Sequence, residues 1–248
     1  MSPRFERFGG VGAMRIQVCG ARLAAAAAMI VFGSCSPKPT THGPPPPSGP
    51  LQDAFTVAFG KPAPWATLND DGDHVVYTPQ ALIEVGPGVV ALVSKEEIPG
   101  GCKACAGSLT IDYLRRGSAG FGRLKSWPEV GGKGRYGAAL PWTVRTDLDD
   151  GPTLVTRDDH KEGSCSATME ELITLRPAGP MKIATLVTAM AYDPRPGERT
   201  APHLSSRITP LVRGQRFAVV FSGTTAFRQV FKREGDVFTS YDPAATGC

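Results

Sequence analysis

The cysteine pair in CKAC has the residue types and spacing of a redox centre, a metal site or a disulfide. Cys102 and Cys105 follow two glycines, and AGSLTI after them has the pattern of a turn leading into a strand. A redox pair of the thioredoxin type needs its first cysteine at a helix N-terminus, where the helix dipole lowers the thiol pKa. Haem attachment needs a histidine after the second cysteine, where Ala106 stands. We therefore predict a structural disulfide, with a redox pair or a zinc site as the alternatives.

A second stretch, GKGRYG, matches the spacing GxGxxG through Gly132, Gly134 and Gly137. This spacing indicates dinucleotide binding only where a strand precedes it and a helix N-terminus follows to hold the pyrophosphate. SWPEV precedes the glycines, and Pro141 in AALPW opposes a helix after them. We predict an irregular glycine-rich loop and no cofactor.

In TRDDHKEG, His160 stands beside three carboxylates, those of Asp158, Asp159 and Glu162. Such a histidine can act as a general base or a metal ligand, and a secreted hydrolase using Asp158 and His160 is one alternative for this protein. A solvated turn between strands explains the same residues. The motifs GxSxG, SxxK and HExxH are all absent. We therefore predict no catalytic residues.

In LNDDGDH, the carboxylates of Asp70, Asp71 and Asp73 surround a glycine, and oxygen ligands in this arrangement suit calcium. The late bidentate glutamate of an EF-hand is missing, since VVYTPQ follows. A polar turn entering a strand accounts for the pattern. We predict no metal site, with a calcium-dependent binding module as a further alternative.

The elements that must position these residues are predicted to be strands. SLTIDYLRR alternates with a period of two, ALIEVGPGVVALVS has two strands around Gly86-Pro87-Gly88, and AFRQVFKREGDVFTSYDP forms a hairpin. SATMEELITL is ambiguous, because Thr168 could cap a helix. The prediction is an all-β, antiparallel, sandwich-like or partly closed domain over residues 51–248. Trp65, Trp127, Trp142 and Phe121 are predicted to pack as core, with an aromatic binding face for glycans or a partner as the alternative.

The N-terminal region resembles a bacterial lipoprotein signal. Two arginines precede an apolar run of 11 residues, Leu23 to Gly33, which ends in VFGSC. Gly33 and Ser34 match the pattern, whereas Phe32 replaces the usual aliphatic residue. The resemblance implies cleavage after residue 34, acylation of Cys35 with palmitate-type chains, and sorting to the outer membrane facing the periplasm. Ordinary secretion or an uncleaved anchor are the alternatives, and translation starts at Met1 or Met14.

The cysteine count fits this location. The chain has six cysteines, Cys19, Cys35, Cys102, Cys105, Cys165 and Cys248. Loss of Cys19 with the leader and acylation of Cys35 leave four, which suits two disulfides in an oxidising compartment. Of the three connectivities, we favour Cys102–Cys105 with Cys165–Cys248.

Residues 35–50, CSPKPTTHGPPPPSGP, are predicted to be an extended tether, because proline holds such a segment at about 3.1 Å per residue. The formal net charge of +4 comes mostly from the leader. A body with interspersed charges near neutrality offers no broad field for nucleic acid, which we exclude as a partner.

The middle of the chain resembles a group of Gram-negative envelope proteins to which no activity is assigned, through CKACAGSLTIDYL, SWPEVGGKGRYG, PWTVRTDL and GSCSA. The resemblance implies a β-rich secreted domain with a CxxC loop and no catalytic residues. We expect a non-catalytic envelope lipoprotein that binds an envelope protein, a cell-wall component or a small-molecule ligand, or has a structural role.

Overall fold

The computed structural model describes residues 48–69, 72–193 and 203–242, all within one compact unit. One helix and thirteen strands follow one another in the described residues. They are α1 (Pro50–Phe59), β1 (Trp65–Leu68), β2 (His74–Gly86), β3 (Val89–Glu97), β4 (Ser108–Gly117), β5 (Gly120–Val130), β6 (Trp142–Arg145), β7 (Thr153–Glu162), β8 (Cys165–Arg176), β9 (Gly179–Tyr192), β10 (His203–Val212), β11 (Arg216–Gly223), β12 (Phe227–Glu234) and β13 (Val237–Thr239).

The strands form two antiparallel sheets in which each strand pairs with its neighbours in sequence. Strands β1 to β5 form a five-stranded sheet, and β6 to β13 form an eight-stranded sheet. The predicted turn at Pro87-Gly88 joins β2 to β3, and the turn after Glu234 joins β12 to β13. The ambiguous segment SATMEELITL is part of strand β8. The all-β antiparallel fold class is confirmed.

Three apolar clusters make up the core. One fills the curl of the eight-stranded sheet, where Phe238 on β13 joins Phe217 on β11 and Ile183 on β9. The second lies between the two sheets and joins Tyr113 to Ile173. The third is covered by helix α1 on the other face of the five-stranded sheet. Residues on both faces of β4 are therefore buried, including Thr110 and Asp112. The sequence SLTIDYL indicates only that these two residues form a polar face, not that this face is covered.

Helix α1 is an element that the sequence analysis did not predict. Pro50 stands at its first turn, and Gly60 ends it in the left-handed conformation. Phe55 is fully buried and stacks on Phe59 with ring centroids 4.4 Å apart. Among the described residues, no helix has the length and apolarity needed to cross a membrane.

Candidate functional site

The CKAC segment lies in the connection between β3 and β4. Cys102 and Cys105 form a disulfide, as predicted, and the backbone N–H of Cys105 donates to the carbonyl of Cys102 over 3.0 Å. Gly101 likewise donates to the carbonyl of Ile98 over 2.9 Å, which closes a tight turn before the pair. Cys165, 8% exposed, is also disulfide-bonded. Cys35 and Cys248 lie outside the described residues, so lipidation and the pairing with Cys248 stay predictions.

The glycine-rich stretch packs directly on this disulfide segment. Backbone hydrogen bonds run from Ile98 N–H to Gly137 O (2.8 Å), from Gly137 N–H to Cys105 O (2.7 Å) and from Gly134 N–H to Gly107 O (2.8 Å). Gly137 has φ +75°, and a Cβ there would overlap the carbonyl of Ile98. Only glycine meets both requirements. Segments 98–107 and 132–139 are called the clamped loop pair below.

Arg135 extends from the clamped loop pair to strand β7. One of its guanidinium nitrogens, Nη2, lies 3.3 Å from Asp158 Oδ2 and 2.6 Å from His160 Nδ1. Because a guanidinium only donates hydrogen bonds, Nδ1 accepts and the neutral ring carries its proton on Nε2. Nε2 faces Glu162 Oε2 at 3.6 Å. Arg135 therefore occupies Nδ1, whereas Nε2 lies near the Glu162 carboxylate but beyond hydrogen-bond distance.

The prediction that TRDDHKEG is a loop is wrong, because Arg157 to Glu162 continue strand β7. Alternation along the strand separates the carboxylates. Asp158 meets Arg135, whereas Asp159 accepts from Thr168 Oγ1 over 2.6 Å and from Arg157 Nε over 3.0 Å. The hydrogen bond from Thr168 first, and then that from Arg157, holds the pKa of Asp159 below its usual range. Asp158, His160 and Glu162 therefore share the face that meets Arg135, whereas Asp159 is directed at Thr168.

Tyr136, beside Arg135 in the clamped loop pair, was missed by the sequence analysis. Its side chain is 62% exposed, and its backbone has φ +53°, a conformation that non-glycine residues adopt rarely. The flanking contacts of Gly134 and Gly137 hold it there. The signal in the sequence was an aromatic residue inside a glycine-rich segment that is not followed by a helix.

The calcium candidate falls partly outside the described residues, since Asp70 and Asp71 are not described. Asn69 closes the turn between β1 and β2, because its Oδ1 accepts from the backbone N–H of Asp73 over 2.8 Å. Where the structure is described, no group of three or more His, Cys, Asp or Glu residues has an arrangement that could hold a metal ion.

The aromatic residues pack as core, as predicted. Trp65 and Phe121 pack on the cluster under α1, and Trp127 and Trp142 pack on the cluster between the sheets.

Three of the four stretches singled out in the sequence meet at one place. CKAC, GKGRYG and TRDDHKEG come together at the clamped loop pair and its link to β7.

Comparison with known proteins gives no relative. No protein-family model, no curated protein and no solved structure matches the chain.

Proposed function

We propose that the protein is a non-catalytic envelope lipoprotein whose β domain binds a partner protein through the clamped loop pair. Acylated Cys35 anchors it in the membrane, with the outer membrane facing the periplasm as the location. A soluble secreted form is the alternative. Tyr136 is the central contact residue of this binding surface.

The observation that carries the proposal is the rigid display of an exposed tyrosine. A disulfide, three backbone hydrogen bonds between the loops and the Arg135 contacts fix the surface around Tyr136. Surfaces ordered before binding lose less conformational entropy when a partner docks. Tyrosine and arginine are also enriched among the residues that dominate interface energies. Unusual backbone at a solvent-exposed tyrosine is a reason to look for function there.

The contacts of His160 favour binding over catalysis. A general base needs an unoccupied nitrogen directed at the reacting group. Here Arg135 donates to Nδ1 at 2.6 Å, and the proton on Nε2 faces Glu162. His160 instead serves to hold Arg135, which positions the adjacent Tyr136.

The test places a photo-crosslinking amino acid at the exposed Ala138, in the same loop, in cells that make the full-length lipoprotein. We expect one discrete adduct with an envelope protein. Tyr136→Ala should reduce the adduct at least about tenfold, because a central interface residue contributes about 2 kcal/mol or more. Tyr241→Ala is the matched control, since Tyr241 is 82% exposed and lies outside the loop pair.

Three further measurements complete the test. The Cys102→Ser/Cys105→Ser double variant should also lose the adduct. Without the disulfide, segment 98–107 no longer has the fixed shape that holds the loop carrying Gly137 through backbone hydrogen bonds. Palmitate labelling should disappear in Cys35→Ala. An adduct indifferent to Tyr136→Ala would overturn the binding surface, and an activity abolished by His160→Ala would establish the hydrolase instead.

A further inference from the structure

A second candidate site lies in the cleft between the two sheets. A cavity of about 370 Å³ opens between the end of β5 and the hairpin of β8 and β9. It is lined by Trp127, Glu129, Gly132, Glu171, Ile173 and Lys182, among others. Cavities of about 300–1,000 Å³ are usual for small ligands. Gly132 belongs to the clamped loop pair, whereas Tyr136 is not among the lining residues, so this cavity adjoins the proposed protein-binding surface without including its central residue.

The backbone on one side of the cleft has an unusual conformation. Glu129 has φ +54°, and Gly131 and Gly132 have φ +80° and +82°. A Cβ on Gly131 would come within 3.0 Å of the side chains of Thr156 and Ile173. The two glycines therefore bring the chain close to β7 and β8, and no side chain from either of them occupies the cleft.

The ionic groups of the cleft are balanced. Lys182 Nζ lies 3.2 Å from Glu171 Oε1, and Lys133 Nζ, which does not itself line the cavity, lies 3.0 Å from Glu129 Oε1. Each carboxylate offers further acceptor positions, and each ammonium has further N–H donors. Because the charges cancel in pairs, the cleft matches a ligand that is uncharged and carries both hydroxyl donors and hydroxyl acceptors.

Trp127 supplies the apolar wall. Its ring packs at 4.6 Å from the ring of Tyr113, and a Cβ on Gly179 would lie 2.8 Å from its Cζ2. Lys125 Nζ stands 5.0 Å from the ring centroid. The indole is thus held in one orientation by its surroundings, with part of its surface in the cavity.

Two buried hydroxyl groups adjoin these walls. Tyr113, 2% exposed, lies behind Trp127, and Thr156, 1% exposed, lies behind Gly131. Neither Tyr113 Oη nor Thr156 Oγ1 has a hydrogen-bond partner within the described ranges. Neither residue lines the cavity, so these two hydroxyl groups belong to the layer behind its walls and are not contacts of an occupant.

We propose that the cleft between the sheets binds an uncharged saccharide unit. Trp127 contacts the apolar face of the sugar ring, and the Glu171–Lys182 pair receives and donates hydrogen bonds at its hydroxyl groups. The site shares Gly132 with the clamped loop pair, but its proposed hydrogen-bonding groups, Glu171 and Lys182, lie on β8 and β9. It extends the function beyond binding of a partner protein.

The experiment titrates purified full-length protein in detergent with chitotriose and, separately, with maltotriose. Isothermal calorimetry measures affinity, and saturation-transfer NMR identifies the sugar protons in contact. We expect saturable binding of at least one of the two. Glu171→Gln and Lys182→Met should each weaken it about tenfold, because the first replaces one carboxylate acceptor oxygen by an amide donor and the second removes the ammonium donors. Trp127→Ala is avoided as the main test, since the ring also packs in the core.

Glu84→Gln is the matched control, because Glu84 is exposed on β2 and does not line the cleft. It should bind the sugar with unchanged affinity. Absence of saturable binding of both oligosaccharides would overturn the saccharide site. Binding that neither Glu171→Gln nor Lys182→Met weakens would overturn it as well. Both outcomes leave the Tyr136 crosslinking result untouched, so the two proposals fail separately.

Discussion

Asp112 and Asp149 are two aspartates whose side chains are each only 1% exposed, and each contacts arginine. Their environments act in opposite directions. Asp112 lies on β4, on the face of the five-stranded sheet opposite Tyr113, and its pKa is raised. Asp149 lies in the connection between β6 and β7, and its pKa is lowered. Burial alone therefore does not decide whether a carboxylate stabilises the fold.

Asp149 joins four parts of the eight-stranded sheet. Its carboxylate contacts Arg233 on β12 and Arg176 on β8, and its carbonyl accepts from Arg213 after β10 over 2.9 Å. Burial would raise the pKa of Asp149. The hydrogen bonds from the backbone of Asp150, from Thr174 and from Arg233 outweigh burial, so the pKa falls below its usual range.

Asp112 has far fewer partners. Arg123 Nη2 lies 3.2 Å from its Oδ1 and is half exposed, while Oδ2 has no partner within the described part of the chain. Burial is the largest influence and raises the pKa, against the smaller effects of Ser126 and Arg123. The difference teaches that the number of hydrogen bonds to the charged form determines the sign of the shift.

The largest effect is expected for Asp149→Asn. It leaves Arg233 and Arg176 without their shared counter-charge, and breaking a buried pair in this way costs about 3–5 kcal/mol of the free energy of unfolding. Urea unfolding at pH 7 measures the loss. The control is Asp147→Asn, whose exposed pair with Arg145 should contribute less than about 1 kcal/mol. Equal losses for the two variants would contradict the comparison.

A smaller effect is expected for Arg123→Met, which removes the only cation within ion-pair distance of Asp112 in the described structure. At pH 7 the buried carboxylate then lacks its charged partner, which costs about 1–3 kcal/mol. The loss should shrink as the pH is lowered, because the neutral carboxyl needs no cation. A loss that is constant from pH 7 to pH 4 would show that Arg123 acts through packing alone.

The smallest change at neutral pH is expected for Asp112→Asn, and its pH dependence is the informative part. A raised folded-state pKa means that the native protein binds the proton more tightly than the unfolded chain does. Wild-type stability therefore gains from Asp112 as the pH falls toward about 4, and the asparagine variant lacks this gain. We expect the free energy of unfolding of Asp112→Asn, relative to that of wild type, to be highest at pH 7 and lower at pH 4.5. Parallel urea titrations at the two pH values measure it.

Asp149→Asn should have the opposite dependence. Its lowered pKa gives a stabilisation that is complete above the unfolded-state value, about 3.9, and is lost as the pH falls through the folded-state value. The penalty of this variant should thus be largest near neutrality and should shrink below about pH 4. Penalties with the same pH slope for the two aspartates would refute the assignment of opposite shifts.

Local patterns were enough to predict the strands. Alternation in SLTIDYL and turn residues such as Pro87-Gly88 determine β-structure through interactions close in sequence. Helix α1 was not predicted, because a helix of ten residues depends on packing, here of Phe55, more than on its own helix propensity. The charged end of β7 resembled a loop because its pairing with β8, not its composition, keeps it extended.

The candidate site was predictable only in pieces. The disulfide and the irregular glycine loop were both expected from the residues of each stretch. The disulfide segment and the glycine loop touch where Gly137 donates a hydrogen bond to Cys105, and Arg135 connects the glycine loop to His160 on β7. Such contacts depend on how the two sheets pack, which no local pattern encodes. The strained backbone at Tyr136 follows from the same packing.

The position of helix α1 has a mechanical consequence. Tension applied to the chain before Gly49 reaches α1 first, because Pro50 begins the helix. The helix is held by ring contacts, such as Phe59 with Trp65 at 5.6 Å and with Tyr77 at 5.1 Å, whereas each sheet is held by rows of backbone hydrogen bonds. We expect α1 to detach under load before either sheet opens. The chain released in this way would lengthen the reach of the domain and leave the proposed binding surfaces folded.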